Sequence, residues 1–454
     1  MMNLPPLLLK DLQQVKDFNE EAFLAAHQQP SVTSVRMHPV KHSEAFAINE
    51  QVPWCSEGRY LTERPVFTLD PLYHAGAYYV QEASSMFLQQ VLKQTVTDNN
   101  NLRVLDLCAA PGGKSTLLAS FLGPDSLLIS NEVIRTRASI LEENMTRWGY
   151  MNTWVTSNDP RDLARLTGYF DVIVVDAPCS GSGLFRKDAR ALDEWSEANV
   201  QLCSQRQQRI LADVWPALKE DGILIYATCS YSPQEDEQIL DWLAAELHAT
   251  GIKVATQAEW GVVETGSSKG LYGYRFSPDK VKGEGFFIAA LRKTSVADAM
   301  KPVRYKALHD KKAHQQSSYL LSQDFLCLQA DRENYHAINP LHEADWHQLQ
   351  GKVYLRKTGI QLGMPTAKEW LPAHDVALSI DRSASLPSIA LSKEQALKFL
   401  RKEDFDLPTQ NKGWFLLTYN GLGLGWIKSL GNRFNNYLPK HWRIRMEIPD
   451  ADWE

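Results

Sequence analysis

The chain has 454 residues, of which 44% are apolar, and its 48 lysine and arginine residues face 54 aspartate and glutamate residues. This length predicts two to four domains at roughly 100–200 residues each, and the ordinary composition excludes wholesale disorder, a fibrous repeat and a simple polycation. No apolar run reaches the roughly 18 residues of a membrane span, and six cysteines in so long a chain are not a disulfide framework, so we expect a cytoplasmic protein with no membrane partner.

The first 95 residues predict a mixed region of helices and strands. Residues 11–28 have helical periodicity, and residues 31–41 (SVTSVRMHPVK) alternate as a strand does before the turn at Pro39. We therefore expect a small α/β region at this end of the chain.

From residue 102 onward, short apolar strands alternate with helices. This alternation is typical of a parallel, doubly wound sheet with helices on both faces. The predicted strands are 103–107, 127–131, 153–156, 171–176 and 223–228, with helices at 114–121, 136–149 and 199–218 and a closing strand at 285–292.

Beyond the sheet, the composition becomes polar and basic near residues 295–318, which indicates a linker. Short strands between Gly and Pro turns then indicate one or two small β-rich modules. Residues 301–454 hold 21 basic and 17 acidic residues, a balance of +4 against −10 for residues 1–300. Basic and aromatic residues alternate over 411–445, which suits a nucleic-acid surface, although a small β-domain with a solvated basic face would look the same.

A glycine-rich loop follows the first strand of the predicted sheet. Residues 103–115 read RVLDLCAAPGGKS, in which a buried strand ends near Asp106 and Gly112 and Gly113 lead into a helix. Glycines let backbone amides approach a ligand, and a helix N-terminus favours negative groups. A P-loop would need a glycine where Cys108 stands, so a nucleoside-triphosphate site is excluded.

Acidic residues follow the next two strands. Glu132 lies 26 residues after Asp106, at the strand end where a doubly wound sheet binds ribose hydroxyls. Asp159 follows the third strand and could hold an adenine. Together they predict a cofactor that contains a nucleoside, and a dinucleotide would fit as well as a single nucleoside.

Two cysteines lie where the fourth and fifth strands end. DVIVVDAPCSGSG places Asp176 and Cys179 at the first of these ends, and ILIYATCSYSPQEDE places Cys229 at the second. Because the carboxyl ends of parallel strands share one edge of the sheet, we expect both thiols and the carboxylate to face the cofactor loop. Neither cysteine has a CxxC or nearby His partner, so no metal site is predicted.

The motifs DLCAAPGGKS, DAPCSGSG and YATCSYSPQEDE, in this order, resemble those of the RNA (cytosine-C5)-methyltransferases of the NOL1/NOP2/Sun family over about residues 30–293. Upstream, SVRMHPVK and HAGAYYVQEASSM match the RNA-contacting motif of that family and the segment leading into its core, except that His38 stands where Asn is usual. The C-terminal GLGLGWIKSLGNRFNNYLPKHWRIR is similar to the bacterial members that methylate a decoding-region cytosine of 16S rRNA, whose chains end in a PUA-like RNA-binding domain.

The resemblance implies a Rossmann-like core that uses S-adenosylmethionine to methylate carbon 5 of cytosine. Cys229 would add to carbon 6 of the ring, Cys179 would assist proton removal and product release, and Asp176 would hydrogen-bond the base. The residues alone do not choose between the two thiols, and Lys114 could either lower a thiol pKa or anchor the cofactor carboxylate. The cofactor-binding positions of the family carry over onto Cys108, Ala109, Ala110, Pro111, Gly112, Gly113, Lys114, Glu132, Asp159 and Asp176.

The implied partner is RNA, namely 16S rRNA in the small ribosomal subunit, bound by a monomer. We divide the chain into an N-terminal α/β RNA-binding region (1–95), a methyltransferase domain (96–294), a linker with a small β-rich module (295–375) and a PUA-like domain (376–454). The predicted RNA contacts are Arg36, Lys41, Arg186, Lys187, Lys428, Arg433, Lys440 and Arg443.

Other functions fit parts of the sequence. A nicotinamide-dependent oxidoreductase would use a similar sheet, but it needs a GxGxxG loop, which CAAPGGK does not supply. A cytosine methyltransferase acting on tRNA, on another rRNA or on DNA is a further alternative, as is an RNA-binding ribosome assembly factor with a vestigial site. The intact set of Asp176, Cys179 and Cys229 argues against a vestigial site.

Overall fold

The computed structural model describes residues 3–298, 300–301, 303–306, 309–329 and 334–447. Four sheets form within these residues, with 3, 10, 4 and 4 strands. The end of the predicted PUA-like domain, residues 448–454, and four residues of the predicted linker (299, 302, 307 and 308) lie outside the described residues.

The N-terminal region forms the three-stranded sheet, in order β2-β1-β3, with helices around it. The predicted helix over residues 11–28 is wrong, because the side chain of Asn19 accepts a hydrogen bond from the Ala22 amide and starts a second helix. The elements of this region are α1 (Pro6–Leu12), α2 (Glu20–His27), β1 (Thr33–Met37), β2 (Gly58–Leu61), α3 (Pro71–Ala75), β3 (Tyr78–Val80) and α4 (Leu88–Thr95).

The large sheet confirms the predicted doubly wound α/β fold. Its central strands run parallel in the order β8-β7-β4-β5-β6, and antiparallel strands extend both edges. Its elements are β4 (Arg103–Asp106), α5 (Gly113–Phe121), β5 (Leu127–Asn131), α6 (Arg135–Trp148), β6 (Thr153–Thr156), α7 (Pro160–Leu163), β7 (Phe170–Asp176), α8 (Ala189–Glu194), α9 (Glu197–Val214), β8 (Leu218–Thr228), α10 (Glu237–Glu246), β9 (Ala249–Ile252), β10 (Val263–Gly266), β11 (Tyr272–Phe276) and β12 (Phe286–Lys293).

The parallel strands are apolar on both sides because helices cover both faces of the sheet. Val104 and Leu128 belong to one buried cluster, and their neighbours Leu105 and Ile129 belong to another on the opposite face. This two-sided burial explains why consecutive residues in the centres of these strands are apolar, and it leaves the carboxyl ends of the strands as the edge where polar loops gather.

The remaining elements form two four-stranded sheets and one addition to the large sheet. β15 pairs antiparallel with β6, so a segment predicted as part of a separate module extends the catalytic sheet. The elements are α11 (Lys311–Ser317), β13 (Leu326–Gln329), β14 (Tyr335–Ile338), α12 (Glu343–Leu349), β15 (Leu355–Thr358), β16 (Ile360–Pro365), β17 (Trp370–Pro372), α13 (His374–Leu378), β18 (Ser388–Ala390), α14 (Lys393–Arg401), β19 (Gly413–Tyr419), β20 (Leu422–Ser429) and β21 (Phe434–Asn436).

Helix α11 lies inside the segment predicted as a linker, so that prediction is wrong over these residues. The Asp310 side chain caps the helix by accepting a hydrogen bond from the Ala313 amide at 2.9 Å, and Ala313 and Ser317 are buried. The division of the chain at residues 95, 294 and 375 stays a prediction.

The C-terminal sheet packs against the N-terminal region. Leu72 of α3, Leu397 of α14 and Leu424 of β20 belong to one buried hydrophobic cluster. Beside it, the guanidinium carbon of Arg147, at the end of α6, lies 4.8 Å from the ring centre of Tyr73 and 5.0 Å from that of Trp442. This three-part joint (Tyr73, Arg147 and Trp442) fixes the first and last parts of the chain to the large sheet.

Candidate active site

The glycine-rich loop occupies the carboxyl end of β4, as predicted. Gly112 has φ of +121°, a conformation that side chains rarely adopt, and α5 begins at the next residue. Helix α6 holds the loop from outside, because Arg137 donates to the Ala110 carbonyl at 2.6 Å and Asn144 donates to the Pro111 carbonyl at 2.7 Å. The loop backbone is therefore fixed by side chains of the following helix.

Asp106 lies beneath this loop and is fully buried. Its Oδ2 accepts a hydrogen bond from Ser115 Oγ at 2.6 Å, whereas its Oδ1 is buried without a partner among the described residues. Burial raises the pKa of Asp106 to about 7. The site thus contains a buried acceptor that a bound cationic group could satisfy.

Glu132 and Asp159 follow β5 and β6 along the same edge of the sheet. Glu132 is buried, accepts a hydrogen bond from the Ile134 amide at 2.9 Å and lies 3.5 Å from Arg137. Asp159 caps α7 and accepts hydrogen bonds from the amide and the Nε of Arg161, both at 3.1 Å. The structure brings both carboxylates to the edge predicted for the nucleoside.

The two predicted thiols are in direct contact. Cys179 Sγ and Cys229 Sγ lie 3.0 Å apart, and both cysteines are half-buried and free. Hydrogen bonding to Cys229, together with burial, raises the pKa of Cys179 well above its ordinary value. Cys179 is therefore harder to ionise than an ordinary cysteine, and either sulfur can be the donor in the contact.

Lys114 and Asp176 form an ion pair next to the thiols, with 2.7 Å between Nζ and Oδ2. Burial by itself lowers the pKa of Lys114, but the carboxylate of Asp176 outweighs burial and raises that pKa. Lys114 thus stays cationic, and it also lies 5.0 Å from the ring centre of Phe286. The ion pair joins the helix after the glycine-rich loop to the end of β7.

A cleft of about 190 Å³ runs from the glycine-rich loop to Asp176, and the N-terminal region forms its other wall. The sequence did not predict that this wall belongs to the cofactor site, although the segment HAGAYYVQEASSM that forms it resembles the family. The N-terminal residues that line the cleft are Tyr79, Val80, Gln81, Glu82 and Ser85.

Three family models match successive parts of the chain. The N-terminal domain of 16S rRNA methyltransferase RsmF matches residues 4–83, 16S rRNA methyltransferase RsmB/F matches residues 93–292, and the methyltransferase RsmF PUA domain matches residues 386–444. The ribosomal RNA small subunit methyltransferase F of Psychromonas ingrahamii is 32% identical over 92% of this chain and 92% of its own length. The chain belongs to the 16S rRNA methyltransferase RsmB/F family. The corresponding enzyme of Salmonella schwarzengrund is 31% identical, with the same coverage of both chains.

Solved structures resemble the fold. A methyltransferase homologue from Pyrococcus horikoshii is 26% identical with a TM-score of 0.51, covering 64% of this chain and 100% of its own. NSun6 from P. horikoshii with SFG, an S-adenosylmethionine analogue, has a TM-score of 0.54 at 18% identity, covering 64% of this chain and 98% of its own. The predicted methyltransferase class and its cofactor, S-adenosylmethionine, are confirmed by membership in the RsmB/F family.

Two basic residues predicted to contact RNA are buried instead. Arg36 donates to Gln81 Oε1 at 2.8 Å and to Thr116 Oγ1 at 2.6 Å, so it joins the N-terminal sheet to α5. Lys41 donates to the carbonyls of Ala75 and Arg147 at 2.9 and 2.6 Å. Both residues are at most 3% exposed, so the prediction of RNA contacts at these two positions is wrong.

Arg186 is a third such correction. It forms an ion pair with Glu284 at 2.9 Å and donates to the Gly283 carbonyl at 2.7 Å, with only 6% of its side chain exposed. It holds the loop after Cys179 against the loop before β12 and does not face solvent. Lys187, the next residue, is exposed as predicted for a surface contact.

His38, where the family usually has Asn, keeps an internal role. Its Nδ1 accepts hydrogen bonds from the amides of Val40 and Lys41, both at 3.0 Å, and its Nε2 donates to the Trp148 carbonyl at 3.0 Å. Accepting from amides two and three residues ahead is what an Asn side chain does in an Asx turn. The histidine thus reproduces the local acceptor function of the amide.

The C-terminal basic residues remain on the surface. Arg433, Lys440 and Arg443 are exposed, and Lys428 is 28% exposed while it pairs with Glu369. A larger cleft, of about 630 Å³, borders the three-part joint between α6 and this last module.

No helix among the described residues is long and apolar enough to cross a membrane. No His, Cys, Asp or Glu cluster of three or more within the described ranges is arranged to hold a metal ion.

The buried carboxyl of Asp106 predicts a pH-dependent stability. Its pKa of about 7 exceeds the roughly 3.9 of an unfolded chain, so the folded protein binds more protons between these values and its stability falls as the pH rises. Between pH 5 and pH 8, we expect the free energy of unfolding of the wild type to fall by about 2–3 kcal/mol more than that of Asp106→Asn. Urea denaturation at both pH values measures this loss, with the exposed Asp193→Asn as control. An unchanged pH dependence in Asp106→Asn would contradict the prediction.

Proposed function

We propose that this protein methylates carbon 5 of a cytosine in 16S rRNA of the small ribosomal subunit, acting in the cytoplasm as a monomer. The observation that carries the proposal is the contact between the Cys179 and Cys229 thiols at 3.0 Å, beside the Lys114–Asp176 ion pair and the glycine-rich loop. Two thiols at one sheet edge suit a cytosine-C5 reaction, since one can add to the ring and the other can assist release. The rRNA substrate is supported by the names of the relatives.

The residues of the site fit S-adenosylmethionine. The buried, unpartnered oxygen of Asp106 can accept from the ammonium group of the methionine part, and the carboxylate of Glu132 can accept from the ribose diol. Residues 108–114 would lie against the methionine part, Asp159 against the adenine and Asp176 on the methyl-donor side. When bound, S-adenosylmethionine supplies an electrophilic methyl group on sulfur.

Cys229 would act as the nucleophile. Carbon 5 of cytosine is a poor nucleophile, and a thiolate that adds to carbon 6 pushes electron density onto carbon 5. The raised pKa of Cys179 favours this assignment, because the nucleophile must ionise, and burial together with the contact to Cys229 makes Cys179 harder to ionise.

Cys179 would assist the second half of the reaction. Once the sulfur of Cys229 is bonded to carbon 6, it no longer carries the charge that raises the pKa of Cys179. The Cys179 thiol then becomes more acidic, so it can lose its own proton to solvent and, as the thiolate, accept the carbon-5 proton. The electron pair of that C–H bond re-forms the double bond between carbons 5 and 6 and expels Cys229 as a thiolate. Asp176, held by Lys114, would hydrogen-bond the amino edge or ring nitrogen of the base.

The target base must leave its stack to reach the thiols, because they are half-buried at the carboxyl edge of the large sheet. An accessible loop or irregular helix of the rRNA would provide such a base. The exposed basic residues of the C-terminal module (Arg433, Lys440 and Arg443), together with Lys428 and Lys187, would bind phosphates around it.

The roles of the cysteines are tested by substitution. We expect Cys229→Ala to lower methyl transfer by at least about 10³-fold, because the covalent step is lost. We expect Cys179→Ala to accumulate a protein–RNA adduct that survives denaturing electrophoresis, because release of Cys229 is slowed. The buried Cys203→Ala, on α9, is the matched control and should transfer methyl groups normally. A fully active Cys229→Ala variant would refute the nucleophile assignment.

The substrate is tested by comparing acceptors. We expect small ribosomal subunits to accept methyl groups from labelled S-adenosylmethionine, whereas tRNA and DNA remain at background, because the C-terminal module contributes binding surface outside the catalytic cleft. Nuclease digestion and mass spectrometry of the product should identify 5-methylcytosine. Naked 16S rRNA, assayed beside the assembled subunit, shows which of these two forms of the rRNA accepts the methyl group. Equal or better methylation of tRNA would reject the rRNA proposal.

The C-terminal basic surface is tested by point substitutions, since deleting residues 376–454 would expose the hydrophobic cluster shared with α3. We expect each of Arg433→Ala, Lys440→Ala and Arg443→Ala to weaken rRNA binding about two- to fivefold at moderate salt, through the loss of a phosphate contact. Fluorescence anisotropy at two salt concentrations measures this, and calorimetry should give unchanged cofactor affinity. The exposed Lys93→Ala is the control. Equal RNA affinity in all variants would reject this surface.

A further inference from the structure

Glu235 joins the two cysteine loops to each other. It lies in the turn between β8 and α10, and its side chain is fully buried. Its Oε1 accepts a hydrogen bond from the Ser180 amide at 2.8 Å, and its Oε2 accepts from the hydroxyls of Ser180 and Ser230 at 2.5 and 2.6 Å. Ser180 directly follows Cys179, and Ser230 directly follows Cys229. One carboxylate thus binds the residue after each thiol.

We propose that Glu235 is a positioning residue that holds the Cys179 and Cys229 loops at the separation required for the reaction. This inference rests on the proposed function, because it assumes that both thiols act on the base. A buried carboxylate is costly unless each of its oxygens is hydrogen-bonded, and here a peptide amide, two hydroxyls and the Gln207 amide at 3.1 Å satisfy it. The four donors hold the carboxylate in one orientation.

The carboxylate is itself anchored to the fold. Gln207, on α9, also donates to the Pro178 carbonyl at 3.1 Å, and its Oε1 lies 3.1 Å from the hydroxyl oxygen of Tyr226. Tyr226, on β8, donates to the Glu235 carbonyl at 2.6 Å. The position of Glu235 is therefore set by the sheet and by a covering helix, so a shift of one cysteine loop would have to break hydrogen bonds at this residue.

The chemistry explains why such a link is useful. Addition takes place at carbon 6 and proton removal at the neighbouring carbon 5, so the two sulfur atoms must be placed relative to each other as well as to the base. A misplacement of about 1 Å in a reacting group can cost about 10²-fold in rate. The contact between the sulfur atoms is weak by itself, whereas the hydrogen bonds of Glu235 fix both loops.

The test compares Glu235→Gln with the wild type. Glutamine keeps the shape but replaces one acceptor oxygen with a donor, which opposes the Ser180 amide or one of the two hydroxyls. We expect kcat for methyl transfer to fall about 10- to 100-fold, with KM for RNA and for S-adenosylmethionine within about twofold. Ser204→Ala is the matched control, because Ser204 donates at 2.9 Å to the carbonyl of Gln234, in the same turn as Glu235, and not to the Glu235 carboxylate.

A second readout does not depend on catalysis. Iodoacetamide alkylation of the protein without RNA, resolved by residue in a mass spectrometer, reports the local freedom of each thiol. We expect Glu235→Gln to raise alkylation of Cys179 and Cys229 by at least about fivefold, while the buried Cys55 and Cys327 react as in the wild type. Ser230→Ala, which removes one of the four hydrogen bonds to the Glu235 carboxylate, should show a smaller change in the same direction, and it replaces Glu235→Gln in the test if that variant does not fold.

The outcomes separate the possibilities. Lower kcat together with selective alkylation of the two thiols supports the positioning role. A wild-type kcat or an unchanged alkylation pattern would overturn it. A parallel rise at Cys55 and Cys327 marks general loss of structure in Glu235→Gln, and Ser230→Ala then decides the question by the same two criteria. If Cys229→Ala proves fully active, the proposed function fails while the alkylation result still decides whether Glu235 ties the two loops.

Discussion

The in-register parallel pairing of β4, β7 and β8 is the constraint on which the site depends. Asp176 at the end of β7 lies opposite Ala227 of β8, and Asp106 of β4 lies opposite Val174. Cys179 follows Asp176 by three residues and Cys229 follows Ala227 by two. Because the two strands end at the same level of the sheet, the two sulfur atoms come into contact. A slip of two residues in either pairing would separate them by about 7 Å, since a strand rises about 3.3 Å per residue.

The parts of this arrangement that depend on local sequence could be predicted. The strands at 127–131 and 153–156 agree with the structure because each has an apolar centre and is fully buried, and the thiols meet because each follows a strand end. Long-range contacts could not be predicted. Arg36 and Arg186 are of a residue type that is common on nucleic-acid-binding surfaces. Both are buried, because they form hydrogen bonds with partners that lie about 80 to 160 residues away in sequence. The antiparallel pairing of β15 with β6 could not be predicted either, because the two strands are far apart in sequence.

The N-terminal region is part of the catalytic structure. Arg36 extends from β1 to Thr116 on α5 and packs 4.8 Å from the ring centre of Trp148 on α6. The two helices that surround the glycine-rich loop are thus held by one buried guanidinium. β3, in the same small sheet, continues into Gln81 and the wall of the cleft. A motif that resembles an RNA contact in sequence therefore contributes first to the shape of the cofactor loop.

Arg147 packs against both Tyr73 and Trp442, so the N-terminal region and the C-terminal module are held to the same helix of the large sheet. The exposed cations of the C-terminal module, Arg433, Lys440 and Arg443, therefore lie on a surface that is fixed relative to the two sulfur atoms. Under the proposed function, the distance between the bound RNA backbone and the base that reaches Cys229 would then determine which folded RNA fits the protein.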